Sequence, residues 1–147
     1  MTDSLSQEQL CSKIVGESND AIMFSDHEGI IRLWNNGAER IFGYTAVEAI
    51  GQSLDLIIPE NLRKRHWDGY YRVMESGTSR YSVDMLATPA LRKGGARLST
   101  EFSMVLIRGS NGEMLGVAAI IRDVTARWQR EKEARERIRE LEARLEF

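Results

Sequence analysis

The 147-residue chain is 42% hydrophobic with a formal net charge of -2, which suits one folded domain and gives no general affinity for nucleic acid or anionic membranes. Its single cysteine, Cys11, excludes an intrachain disulfide and a cysteine-built zinc site. No apolar run reaches the roughly 18 residues of a membrane span, and the polar start "MTDSLSQEQL" lacks the regions of a signal peptide, so the expected location is cytoplasmic.

Residues 7–16, "QEQLCSKIVG", place Leu10, Cys11, Ile14 and Val15 on one stripe of a short helix ending near Gly16, with Cys11 as a small buried residue. "AIMFSDHEGIIRLWN" then predicts two strands, Ile22 to Phe24 and Ile30 to Trp34, around a "DHEG" turn in which Gly29 takes positive φ. Asp26 and Glu28 are expected as solvated turn residues, and His27 as exposed. "NNGAERIFGY" predicts a short helix opened by asparagine and stopped at Gly43. In "TAVEAIGQSL", Thr45 and Glu48 have the spacing of a capping box, with Gly51 closing the turn. Pro59 opens a longer helix over residues 60–76, ended by Gly77.

The rest is mostly strand. "RYSVDMLATPAL" is one, in which Pro89 marks an edge, bulge or end. "RLSTEFSMVLIR" alternates, putting Leu98, Thr100, Phe102, Met104 and Leu106 on one face. "GSNG" turns the chain into "EMLGVAAIIRDV", apolar on both faces and therefore central. From Thr125 the chain becomes highly charged, and Ala134, Ile138, Leu141 and Leu145 follow the 4, 3, 4 spacing of a coiled-coil seam. Asp123 is expected to cap this helix or to pair with a cation, a structural rather than a catalytic role. The fold class is α+β, because antiparallel hairpins flank a helical middle.

Two long stretches, "DAIMFSDHEGIIRLWNNGAERIFGYTAVEAIGQSLDLIIP" and "RKGGARLSTEFSMVLIRGSNGEMLGVAAIIRDVTARW", resemble the two halves of a PAS domain. The resemblance implies a PAS domain over residues 17–125, a flanking helix over 1–16 and a charged signalling helix over 126–147. It also implies a five-stranded antiparallel sheet with helices on one face and a small-molecule cavity between them. By strand parity and the resemblance, Tyr81, Leu86, Phe102, Met104, Val117 and Ala119 line that cavity. The implied partners are a second copy, paired through the flanking helices, and an output domain such as a kinase or cyclase. No nucleic-acid, membrane or catalytic motif competes, so an enzyme is not expected.

The segment "AERIFGYTAVEAIGQSLDLIIPENLRKRH" is similar to the corresponding part of rhizobial oxygen-sensor kinases, where the histidine at the place of His66 is the proximal haem ligand. On a helix, Leu62, His66, Gly69, Tyr70 and Val73 share a face. The resemblance thus implies haem b with His66 on the iron. The distal half of the pattern is missing. Leu86 occupies the place of an oxygen-contacting arginine, and Asp84 that of a second axial methionine. Met85 points away from that face, and Met104 is the remaining candidate. The alternatives are an unidentified small molecule, or a cofactor-free module in which His66 is an ordinary helix residue and the fold serves dimerisation.

Overall fold

The computed structural model describes residues 4–79 and 86–146. Tyr81, Asp84 and Met85 lie outside the described residues.

The first helix, α1 (Gln7–Glu17), starts at Ser6, whose side chain accepts from the Gln9 amide while Gln9 returns a bond to the Ser6 amide. That box satisfies two of the amide donors every helix start leaves free. The amphipathic stripe is present but uncovered: Leu10 and Ile14 are exposed and Val15 is half-buried. Cys11 is exposed, against the expectation of burial. A stripe on a helix says which side chains share a face, not whether anything packs on it.

Strands β1 (Ala21–Asp26) and β2 (Ile31–Trp34) form the expected hairpin, with Gly29 at φ 80°. Asp26 is not a solvated turn residue. Its carboxylate accepts from the amides of Glu28 and Ile30 at 2.9 and 3.0 Å and from Arg32 Nε at 2.8 Å. Burial opposes its ionisation, but the bonds from Arg32, Ile30 and Glu28 outweigh it and hold the carboxyl below its ordinary range.

Asn35 caps α2 (Asn36–Phe42), and its side chain joins three elements. Oδ1 accepts from the amides of Ala38 and Ile22 at 2.9 and 2.8 Å. Nδ2 donates to the carbonyls of Val15 and Asp20 at 2.8 and 3.0 Å. This buried amide thereby ties the end of α1 and the start of β1 to the start of α2. The capping box of α3 (Ala46–Ala49) forms as the spacing predicts, with Thr45 and Glu48 exchanging bonds.

Beyond Pro59 the chain does not enter an α-helix at once. Glu60–Leu62 is a 3₁₀ turn, closed by the Leu62 amide on the Pro59 carbonyl, and α4 spans Arg63–Ser76. Leu62 therefore precedes the α-helix rather than forming part of it. Tight i to i+3 turns commonly open helices, and the apolar pattern does not distinguish them from α-helical ones. Gly77, in the left-handed conformation, ends α4 as expected.

Strands β3 (Leu86–Leu91), β4 (Arg97–Arg108) and β5 (Met114–Asp123) complete one sheet of order β2-β1-β5-β4-β3, with all neighbours antiparallel. β5 is central, and Pro89 lies in an edge strand, where a missing amide donor costs least. Helices cover one face. The core there joins Ala21, Met23, Ile31, Phe42, Leu98, Val117 and Ile121 to Tyr70 and Met74 of α4. The last helix, α5 (Thr125–Leu145), leaves β5. Asp123 accepts from the Thr125 amide at 2.9 Å, and Thr125 Oγ1 accepts from the Ser99 amide at 3.0 Å. Ile138, Leu141 and Leu145 of its seam are exposed. Among the described residues, no helix is long and apolar enough to cross a membrane.

Candidate functional site

Helix α4 is fixed to the rest of the fold at its start, middle and end. At the start, Arg63 Nε donates to the Ile58 carbonyl at 3.1 Å, and Trp67 Nε1 donates to Asp55 Oδ1 at 2.7 Å. The Trp67 ring lies over the hairpin turn so closely that a Cβ on Gly29 would stand 2.2 Å from it. In the middle, the Tyr70 hydroxyl donates to the Asp26 carbonyl at 2.5 Å and meets Ser25 Oγ at 2.9 Å. At the end, the Arg108 guanidinium donates to the Gly77 carbonyl, satisfying an acceptor at the helix C-terminus.

His66 sits between the first two attachments. Its ring meets Trp67 edge-on at 4.7 Å and tilts against Tyr70 at 5.6 Å between centroids. Nδ1 is buried and has no hydrogen-bond partner. Burial pushes the imidazole from 6.5 down to about 4, and the nearby Asp55 charge opposes this only partly. The ring is therefore neutral near pH 7, with an unsatisfied buried nitrogen. Such an atom costs free energy in a finished core and marks a place where a ligand or a solvent molecule completes the bonding. Burial likewise pushes the Tyr70 hydroxyl up to about 12.

The neutral state has a measurable consequence. Unfolding exposes His66 and restores its ordinary affinity for a proton. Between 6.5 and about 4 the unfolded chain thus binds more protons at this residue than the folded one. Stability should fall as pH drops through that window, and His66→Gln should flatten this part of the profile. Urea midpoints measured across the window for both proteins check this; identical slopes would rule it out.

The sheet contributes the other wall. Register places Leu86 opposite Phe102, Phe102 opposite Ile121, Met104 opposite Ala119, and Leu106 opposite Val117. Val117 is buried, whereas Phe102, Met104 and Ala119 pack against the core yet remain half-buried. Tyr70 and Val117 both belong to that core. Leu62, His66 and Leu86 are also half-buried. Gly69 leaves open space beside the helix, since a Cβ there would meet nothing within 4 Å. His27 is exposed in its turn. Sequence reasoning missed Ser25, Asp55 and Arg108, which hold α4 from 45, 12 and 31 residues away along the chain. No spacing rule reaches across such separations.

A neutral imidazole with an unsatisfied nitrogen is the ligating form. The inner sheet face offers mainly apolar side chains, and Arg108 at the end of β4 is engaged by the Gly77 carbonyl.

Residues 19–126 match the family model described as "PAS domain". Over 133 residues the chain is 33% identical to "Sensor protein FixL" of Bradyrhizobium diazoefficiens, an alignment covering 86% of this chain and 24% of that protein. It is 25% identical over 135 residues to "Oxygen sensor protein DosP" of Escherichia coli K12, covering 92% of this chain and 15% of that protein. The chain thus spans a quarter or less of these curated relatives. The PAS domain structure from Colwellia psychrerythraea superposes with a TM-score of 0.72 at 26% identity, covering 82% of this chain and 99% of that one. Strand order, the helical cover on one face and the family match agree, and the chain belongs to the PAS domain family.

Proposed function

We propose that this PAS domain is a cytoplasmic sensory module that takes haem b between α4 and the inner face of the sheet, with His66 as the protein's axial ligand. The observation that carries this reading is the neutral His66 ring with its buried, unpartnered Nδ1. When bound, the group supplies an iron centre for a small diatomic ligand. Leu62, in the 3₁₀ turn before α4, and Tyr70, one turn on, would flank the histidine. Leu86, Phe102, Met104, Val117 and Ala119 would give the opposite wall; Tyr81, expected there from the sequence, lies outside the described residues. Such a wall excludes water and offers the group no charge. Met104 is the one residue of that wall able to act as a second soft ligand.

The proposal leaves the chain's own residues a definite task. Tyr70 sits one turn from His66 and bonds to Ser25 and the Asp26 carbonyl. A shift of His66 on ligation would thus be felt by β1 and its hairpin. The reading is tested by titrating the purified chain with haemin and recording the absorption spectrum. A saturable Soret band at one equivalent is expected, and its absence would refute haem binding. Mass spectrometry of a small molecule released from the pure protein would then support a different pocket ligand.

A second reading, a cofactor-free dimerisation module, is favoured by the exposed seam of α5, where Ile138 is 54% and Leu141 49% exposed. Both readings expect α5 to pair with a second copy. Burying an isoleucine and two leucines per chain contributes about 1.5 to 3 kcal/mol each, offset in part by ordering the helix. Leu141→Asp should therefore convert a dimer into a monomer by light scattering, without loss of helical signal from the core. Equal masses for both proteins would remove the seam from consideration.

A further inference from the structure

Four aromatic rings of α4 stand in one group, and the haem reading uses only two of them. His66, Trp67, Tyr70 and Tyr71 lie with neighbouring ring centroids 4.7 to 6.4 Å apart. The group starts at the buried His66 Nδ1 and ends at Tyr71, which is 55% exposed. Trp67 is the link. Its ring meets His66 edge-on at 4.7 Å and stacks on Tyr71 at 5.7 Å, with 27° between the planes. Gly29 also seats the indole, since a Cβ there would stand 2.2 Å from it. Held by this seat, by the stack and by its bond to Asp55, the indole has little freedom to leave the group.

The hydrogen bonds sort these rings by how readily each gives up an electron. An oxidised indole or phenol is a strong acid, so its electron leaves most easily where a base stands ready for the proton. Trp67 has such a base. Its Nε1 donates at 2.7 Å to Oδ1 of Asp55, a carboxylate that Arg63 Nε also approaches at 3.9 Å. Tyr70 is placed differently. Its hydroxyl donates to the Asp26 carbonyl and meets Ser25 Oγ, and neither oxygen is a base near neutral pH. Burial also pushes that hydroxyl up to about 12. Tyr71 is exposed enough to release its proton to water. An electron vacancy at Trp67 therefore passes to Tyr71 rather than to Tyr70.

We propose that Trp67 and Tyr71 form a one-electron relay that carries an oxidising equivalent from the His66 site to the protein surface. The relay rests on the haem reading for its oxidant, hydrogen peroxide that reaches the site. Trp67 loses an electron toward the site, and its Nε1 proton moves to Asp55. Tyr71 then gives an electron to Trp67, its hydroxyl proton goes to solvent, and Asp55 returns the proton to the indole. The net change is loss of one electron and one proton from Tyr71. Hydrogen peroxide takes up two electrons and two protons to become two waters, so two such passages consume one molecule. Two soluble thiols restore the tyrosine in those passages and leave joined as a disulfide. The relay would spare His66 and the group it holds from oxidation.

The first test needs no haem. In a Trp128→Phe background Trp67 is the accessible tryptophan, because Trp34 is only 5% exposed. Azide radicals made by pulse radiolysis oxidise tryptophan in the full chain. The tryptophan radical absorbance should convert to that of a tyrosyl radical in a first-order step independent of protein concentration. Tyr71→Phe should slow this step at least tenfold. Asp55→Asn keeps an oxygen for the indole but no base, and should prolong the radical cation at least tenfold. No conversion, or conversion untouched by Tyr71→Phe, would overturn the relay. The second test adds hydrogen peroxide and a spin trap to the haemin-loaded wild-type chain. Peptide mapping should find the adduct on Tyr71 and not on Trp128, which is 43% exposed and lies outside the aromatic group. Equal labelling of both would show oxidation from solution and overturn the site as the source. Conversion in the first test by a chain that takes up no haem would support the Trp67 to Tyr71 step and refute haem as the origin of its oxidant.

Discussion

His66→Ala is expected to abolish the Soret spectrum that haemin reconstitution gives the wild-type chain. Outer-shell partners of a metal ligand are worth about 10- to 100-fold in affinity, and loss of the ligand itself should exceed that. The substitution leaves the rest of the wall untouched, so the effect isolates the axial bond. The other histidine, His27, is exposed in the hairpin turn and offers no substitute from within the fold. Met104→Leu serves as the companion experiment. If its sulfur is the second ligand, the spectrum of the reduced protein should change while binding persists. An unaltered spectrum in His66→Ala would show that the histidine is not on the iron.

Asn35→Ala should cost about 3 kcal/mol or more of folding stability. A lost helix cap costs about 1 kcal/mol. Here the same amide also serves Ile22, Val15 and Asp20, and it is only 5% exposed. Each buried group left unpaired adds roughly 1 to 3 kcal/mol, although water entering the gap recovers part. Urea denaturation would report the change, and a loss under about 1 kcal/mol would mean that Asn35 is a plain helix cap. Asn35→Asp is expected to be intermediate: it keeps both acceptor bonds and places a carboxylate against the Val15 and Asp20 carbonyls.

What was legible from the residues was mainly local. Gly29, Gly43 and Gly77 mark positive φ, Thr45 and Glu48 spell a capping box, and the run Val117 to Ile121, apolar on both faces, identifies the central strand. Each of these follows from interactions within a few residues or from burial on both sides. Burial of Cys11 was misread because coverage of a helix depends on what the rest of the chain brings to it. The 3₁₀ start of α4 was missed because both helix types satisfy the same apolar pattern over one turn. The candidate site was half legible. His66 could be singled out from its surroundings in sequence, and the inner-face residues of β4 and β5 followed from alternation. The bond of Tyr70 to Ser25 exists only once the sheet has placed β1 under α4, and that of Trp67 to Asp55 only once the 3₁₀ turn Leu54–Ile57 stands beside the helix.

The two ends of the sheet have a consequence for how this protein meets others. β2 is only four residues long, and β3 carries Pro89, which has no amide proton to offer. Backbone pairing with a neighbouring chain would need a long row of free donors and acceptors, and among the described residues neither border provides one. Growth strand by strand into a fibre is thereby discouraged. Association is left to side chains, so it can saturate at a closed particle and be reset by small changes in packing, as a reversible signal requires.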